Sequence, residues 1–296
     1  MEKRAFLAIA LSLLVLVLYQ EWISRQYPTP LPQPPAEQKK EAGKAPTADS
    51  VTPPAPAEIK PVPTPAGKAI QDIRVETDNY IAVFTNQGAR LKSFKFKHYQ
   101  ATADPNSPPF EMIATVPGVP YPLGVRWSSA SDDGSIVYRV DGGGLKLSGQ
   151  SQGTLTFQGT APDGVTITKK LSFTGAQYPI GLELNARASD GSALATAALL
   201  TAPSQHEDPN ADAPFEGFLA VVDEKIKREP VSDELRKGKE FSGQLSWAGF
   251  GLTYFMMALV PENGAGYRAG VQQSGPALIL TVAEPTGDPN PSRYTF

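Results

Sequence analysis

The chain has 296 residues, no cysteine, two histidines and a net charge of only −3. The absence of cysteine removes disulfides, thiolate nucleophiles and cysteine-based zinc sites together, and the balanced charge gives no electrostatic case for nucleic acid. A body of ~225 residues beyond the N-terminal region is large enough to bury about 70% of its unfolded surface and needs no covalent staple.

The most apolar run comes first. From Ala5 to Tyr19, Ser12 is the one conventionally polar side chain. Counted to Ile23, the segment gives a helix of ~28 Å at ~1.5 Å per residue, close to the ~30 Å hydrocarbon core of a bilayer. Lys3 and Arg4 precede it and Tyr19 and Trp22 close it. Basic residues favour the cytoplasmic side, and amphipathic rings suit the far interface. A cleaved signal peptide would end in small residues, whereas Leu18-Tyr19-Gln20-Glu21-Trp22 is bulky. Residues 1–26 therefore read as an uncleaved transmembrane anchor with a cytoplasmic N-terminus. The expected location is a bacterial inner membrane, with the bulk of the chain in the periplasm.

Residues 27–69 form a second region, in which Tyr27 to Pro65 holds twelve prolines and almost nothing large and apolar. Such a stretch cannot bury enough surface to offset its ordering entropy. It reads as an extended linker with a contour on the order of 120 Å at ~3.1 Å per residue.

From about Ile70 to Phe296 the pattern changes to short strands with turn punctuation. Asn79 to Thr85, Asn86-Gln87-Gly88 and Arg90 to Lys97 read as a hairpin. Ile136, Tyr138 and Val140 alternate with other residues, as do Leu155 and Phe157. From Val165 to Phe173 every odd position except Lys169 is apolar, and Ile180, Leu182, Leu184 and Ala186 offer a partner strand. Period two with one wet face predicts antiparallel sheet packed on one side. The expected fold is all-β, a large antiparallel β-sandwich. Ser232 to Lys239 predicts two helical turns capped by Ser232 or Asp233. Trp247 to Val260 is apolar but short, contains Gly249 and Gly251 and stops at Pro261, so it reads as one buried strand rather than a second span.

Candidate chemistry is sparse. His206-Glu207-Asp208 is the one place where a base and carboxylates cluster, and its Pro, Asp and Asn neighbours read as a solvated loop, not the locked setting that catalysis needs. Asp-Pro-Asn recurs at Asp104, Asp208 and Asp288. It suits ordinary turns better than calcium, which requires six or more converging oxygens. Gly142-Gly143-Gly144 lacks a following helix for an anion and reads as a turn or bulge. Arg90, Lys92, Lys95, Lys97 and His98 could face anionic headgroups, or could be a solvated strand face protecting a sheet edge. Lys169 fits the same edge use or a buried carboxylate. Phe250, Tyr254, Phe255, Met256 and Met257 could line a cleft or a partner surface, and core packing explains such a cluster more simply.

These pieces, taken in order, resemble bacterial YidC membrane protein insertases. The start, from Met1 through Tyr19-Gln20-Glu21-Trp22, is similar to that family's opening, as is the Pro-rich stretch. Asn79 to Phe94 resembles the first hairpin of its periplasmic domain. Ile167 to Phe173 and Trp247 to Pro261 are further matches. The resemblance implies a β-supersandwich behind a first transmembrane helix, in a family that helps insert and fold inner-membrane proteins, alone or beside the Sec translocon. It also implies about five further spans enclosing a hydrophilic groove, which no apolar run in these residues could supply. The chain thus reads as the N-terminal part of such an insertase.

The expected function is an anchored, non-catalytic domain with no cofactor. Its expected partners are inner-membrane lipid, Sec translocon components and nascent membrane proteins. Two alternatives stand beside it: a carbohydrate-binding or aldose-epimerase-like sandwich, which wants a His and a carboxylate facing across a cleft, and a membrane-anchored envelope adaptor.

Overall fold

The computed structural model describes residues 69–113, 115–204, 217–252, 254–285 and 291–296. The first strands in chain order are β1 (Asp72–Glu76), β2 (Tyr80–Thr85), β3 (Arg90–Gln100), β4 (Pro109–Glu111), β5 (Gly124–Arg126), β6 (Arg139–Asp141) and β7 (Leu145–Lys146). Next come β8 (Gln152–Thr160), β9 (Thr166–Thr174), β10 (Gly181–Arg187), β11 (Ala193–Leu194) and β12 (Ala197–Pro203). Then follow β13 (Gly217–Val222), β14 (Lys225–Pro230), the helix α1 (Asp233–Lys237) and β15 (Lys239–Ser242). The last are β16 (Leu245–Gly251), β17 (Met256–Pro261), β18 (Arg268–Ser274), β19 (Ala277–Ala283) and β20 (Ser292–Thr295).

Among the described residues these strands form three sheets. The first runs β4-β3-β2-β1-β7, the long sheet β14-β13-β16-β17-β20-β10-β9-β8-β6 with β11 beside β10, and the third β15-β18-β19-β12-β5. Every pairing is antiparallel except β1 with β7. The long sheet is a shared wall. Its β9 side meets the first sheet, where Phe84 packs edge-on against Phe173 at 5.8 Å. Its β13 side meets the third, where Phe218 stacks on Phe241 at 4.6 Å. The all-β sandwich expected from the alternation is the fold observed.

Local chemistry explains the elements. On β9 the odd positions Ile167, Lys169, Leu171 and Phe173 are buried and the even ones point outward, so one period-two register fills one wall of the core. Its partner is β10, as expected, with Leu182 opposite Leu171. The first hairpin is β2 and β3, and its tip needs left-handed backbone at Gly88 and Ala89.

Two expectations change. The helix is shorter than two full turns: Ser232 caps it by accepting from the Leu235 amide at 3.3 Å, and Gly238, at φ 112°, ends it. The run Trp247–Val260 is a hairpin, β16 paired with β17, and not one strand. Apolar side chains on both faces of both strands hid the turn. Of the Ile136–Val140 alternation, Ile136 and Tyr138 are buried, but strand geometry begins only at Arg139. No helix among the described residues is long and apolar enough to cross a membrane.

Candidate functional site

The basic arm of β3 is largely neutralised. Lys92 Nζ lies 2.7 Å from Asp72, a hydrogen bond that raises its pKa, and Lys97 lies 3.0 Å from Glu76 and draws that carboxyl below its usual range. A His98 ring nitrogen lies 3.1 Å from the Asp78 carbonyl oxygen on the exposed end of the strand. Arg90 turns inward instead. Lys95 is exposed, but with Lys92 and Lys97 paired and Arg90 turned inward the arm does not present the five cations together.

Arg90 and Lys169 meet in a buried ionic node. Lys169, with 0% exposure, places its ammonium 2.5 Å from Asp133 and donates to the carbonyls of Gly88 and Leu123 at 2.7 Å each and of Ala89 at 3.3 Å. Arg90 holds the other Asp133 oxygen at 3.0 Å, and that oxygen also accepts from the Val125 amide. The Tyr138 hydroxyl donates to Asp133 at 3.3 Å, and burial pushes its pKa up. Burial also lowers the Lys169 pKa to about 8, with the Asp133 charge opposing the shift. A fully satisfied ammonium sealed from solvent offers no substrate a path. What the node does is join β9, the β2–β3 tip and the chain before β5. Lys169 thus follows the buried-carboxylate reading. Asp133, inside Ser131-Asp132-Asp133-Gly134, carries no local sign of that role, and only the lone cation on an apolar strand face demanded a partner.

A second buried cluster joins Glu284, Thr196 and Ser292. The Thr196 amide and the Ser292 hydroxyl both donate to the Glu284 carboxylate, and the two hydroxyls lie 2.7 Å apart. Sequence reading missed it, because serine and threonine at strand ends give no distinguishing signal. Beside it lies a hollow of about 490 Å³ lined by Glu262, Tyr267, Pro285, Pro291 and Arg293 among others. A groove of about 430 Å³ crosses the third sheet, with Arg126, Lys239, Glu240, Arg268 and Gln272 along it. His98 lines neither. Among the described residues no three metal-capable side chains converge.

The predicted aromatic cluster divides. Phe250 and Met257 are in the core, whereas Tyr254 is 86% exposed and Met256 45%. Phe255 lies between these extremes, stacked on Phe96 at 4.7 Å and Phe110 at 4.6 Å, with Tyr99 edge-on at 5.2 Å. Met256 begins an apolar outer face on the long sheet. Register sets Ile226 opposite Val221 and Val221 opposite Trp247. The β16–β17 pairing then brings Val260 beside Trp247. The next rows are Arg228, Leu219, Gly249 and Ala258, then Pro230, Gly217, Gly251 and Met256.

Asp104 makes an ordinary turn, its carboxylate accepting from the Asn106 amide at 2.9 Å. Gly142-Gly143-Gly144 links β6 to β7 as expected, with Gly142 at φ 106°. Lys3, Arg4, Tyr19, Trp22, His206, Asp208 and Asp288 lie outside the described residues.

The family model of the YidC periplasmic domain matches residues 72–288. The chain belongs to that family. The membrane protein insertase YidC of Syntrophus aciditrophicus is 32% identical over 281 residues, covering 89% of this chain and 51% of that protein. The protein of the same name from Geobacter metallireducens is 31% identical over 302 residues, covering 98% and 55%. The chain spans about half the length of the curated relatives it matches. Among solved structures, an α-galactosidase from Lactobacillus brevis is similar at 10% identity and a TM-score of 0.44, over 76% of this chain and 39% of that one. A galactose mutarotase related enzyme from Lactobacillus acidophilus matches at 8% and 0.44, over 76% and 96%. Likeness of that size carries no argument about function. In this YidC periplasmic domain the charges drawn inward brace the core, and the accessible outer surface of β13, β16 and β17 is apolar.

Proposed function

We propose that the chain is the N-terminal region of a YidC-type insertase. Residues 1–26 anchor it in a bacterial inner membrane with the N-terminus in the cytoplasm, residues 27–69 tether it, and residues 70–296 stand in the periplasm. There the sandwich supplies contacts to inner-membrane lipid, to Sec translocon components and to nascent membrane proteins, and performs no covalent chemistry. The observation that carries this reading is the match to insertases named YidC over about nine-tenths of the chain. The ion pairs support it, since Lys169 and Arg90 are both turned inward onto Asp133.

The test is in the cell. The full chain, expressed with a photocrosslinker in its β-domain, should capture translocon or insertase components from inner membranes. Capture of neither would remove the partner role. Protease added to spheroplasts should digest the β-domain, and survival until lysis would overturn the topology.

A further inference from the structure

Seven large apolar side chains are exposed among the described residues: Ile226 (74%), Val260 (41%), Met256, Tyr254, Tyr99, Tyr178 and Ile70. The first three belong to the outer face of β14-β13-β16-β17. Tyr254 stands two residues before Met256, whereas Tyr99 and Tyr178 border the stack of Phe255 on Phe96 of the first sheet, 5.2 Å from Phe255 and 5.7 Å from Phe96 respectively. Trp247, Val221 and Leu219 fill the space between, partly exposed and outside the packed core. Arg228 is the one charged residue in the three rows.

We infer that this face docks flat on the lipid bilayer to which the chain is tethered. The proposal rests on the anchored reading above. Four strands at ~4.8 Å spacing and about six residues at ~3.4 Å give roughly 400 Å². A stable partner from solution buries about 800 Å² per side, so a second copy of this chain would be held too weakly. A surface kept close by a linker needs far less, because tethering raises its effective concentration. The bilayer is the surface that the Ala5–Ile23 run brings near, and a linker contour on the order of 120 Å lets the face reach it. The composition fits that occupant. Indole and phenol rings such as those of Trp247 and Tyr254 suit the headgroup level, where one end is apolar and the other wet. With almost no charge in the rows, docking needs no anionic lipid and resists salt.

Tryptophan fluorescence tests this directly, because the chain has only Trp22, Trp127 and Trp247. Two full-length variants are reconstituted in phosphatidylcholine vesicles, with or without bromine on the acyl chains near the headgroup. W22F/W127F reports Trp247 and W127F/W247F reports Trp22. Bromine should quench both, and adding Ile226→Ser with Val260→Ser should roughly halve the Trp247 effect, whereas Lys170→Ser on the polar half should leave it unchanged. Quenching of Trp22 without Trp247 overturns the docking while leaving the anchor intact. Quenching of Trp247 without Trp22 keeps the docking and overturns the anchor. Loss of both overturns both. Protection of Trp247 from iodide that grows with protein-to-lipid ratio, without bromine quenching, means that a second copy covers the face, and it too overturns the proposal.

Discussion

The two halves of the long sheet share a wall and a hydrogen-bond ladder but solve opposite problems. On the β8-β9-β10 side the outer positions Thr156, Lys170, Ser172, Glu183 and Asn185 are polar, and the inner face carries a buried cation. On the β13-β16-β17 side the inner face is purely apolar, with Phe218, Ala220, Ala248, Phe250 and Leu259, and the outer face is apolar as well. One half places charge where physics disfavours it; the other places hydrocarbon there. Burying a charge is tolerated when every donor and acceptor is matched, as around Lys169. Exposing hydrocarbon costs little to folding and signals an interaction surface. The first oddity is therefore a structural brace and the second a docking face.

The sharpest break of this contrast removes Asp133. Asp133→Ala would leave Lys169 buried with no carboxylate partner and Arg90 with only the half-exposed Asp132 at 3.6 Å, and should cost about 3–5 kcal/mol in urea unfolding. The triple change Arg90→Met, Asp133→Leu, Lys169→Met should recover most of that loss, because replacing a whole buried ionic cluster by hydrocarbon of similar volume is often neutral. A single change that costs less than about 1 kcal/mol would mean that water reaches the node and that the brace reading is wrong.

On the other half the equivalent lesion is a cavity. Leu259 is fully buried on the inner face of β17. Leu259→Ala should cost about 2–5 kcal/mol, seen as a lower denaturation midpoint with an unchanged slope. A negligible loss would show that the inner face of β17 repacks freely against the third sheet.

The brace is also sensitive to pH. Lys169 holds its proton with a pKa of about 8 in the folded protein, against ~10.4 in an unfolded chain. Between those values the unfolded chain binds a proton that the native state has released, so the stability contributed by this group rises with pH across that window. Below the folded pKa the full penalty for burying the ammonium persists. Relative to Lys169→Met, the unmodified chain should gain on the order of 1–3 kcal/mol between pH 7.5 and pH 10. A gap that stays constant or narrows would show that Asp133 outweighs desolvation and keeps the lysine charged throughout.

How much of this the sequence reveals depends on the range of the interaction. The β9–β10 pair, the first hairpin and the Ser232 cap are legible because alternation and capping are local. The insertase resemblance is legible because its pieces occur in order along the chain. Asp133 is not legible: as a turn residue beside Asp132 and Gly134 it looks like any acidic loop, and its partners come from β3 and β9. The hairpin in Trp247–Val260 is hidden for another reason. Period-two reading needs one polar face, and when both faces are apolar a turn has no contrast to show against. The shared wall is nonlocal as well, closed by β20 pairing with both β10 and β17.

The smallest effect is the one that separates the two halves most cleanly. Val260 follows Leu259 directly and points the other way, onto the outer face at 41% exposure. Val260→Thr keeps the β-branch that strands favour and removes one methyl from an accessible position, so its cost should stay within about 0.5 kcal/mol. Lys170→Ser, next to Lys169 on the polar half, should also be nearly silent. Neutral outer-face changes on both halves, beside large inner-face losses, would mean that the apolar outer rows contribute nothing to the domain's own stability. If Val260→Thr instead cost as much as Leu259→Ala, those rows would be core covered by another part of the chain, and the contrast between the halves would collapse. The measurement needs only urea midpoints for two neighbouring residues, compared at one pH and one ionic strength, and it separates a surface kept for an external partner from one the fold needs for itself.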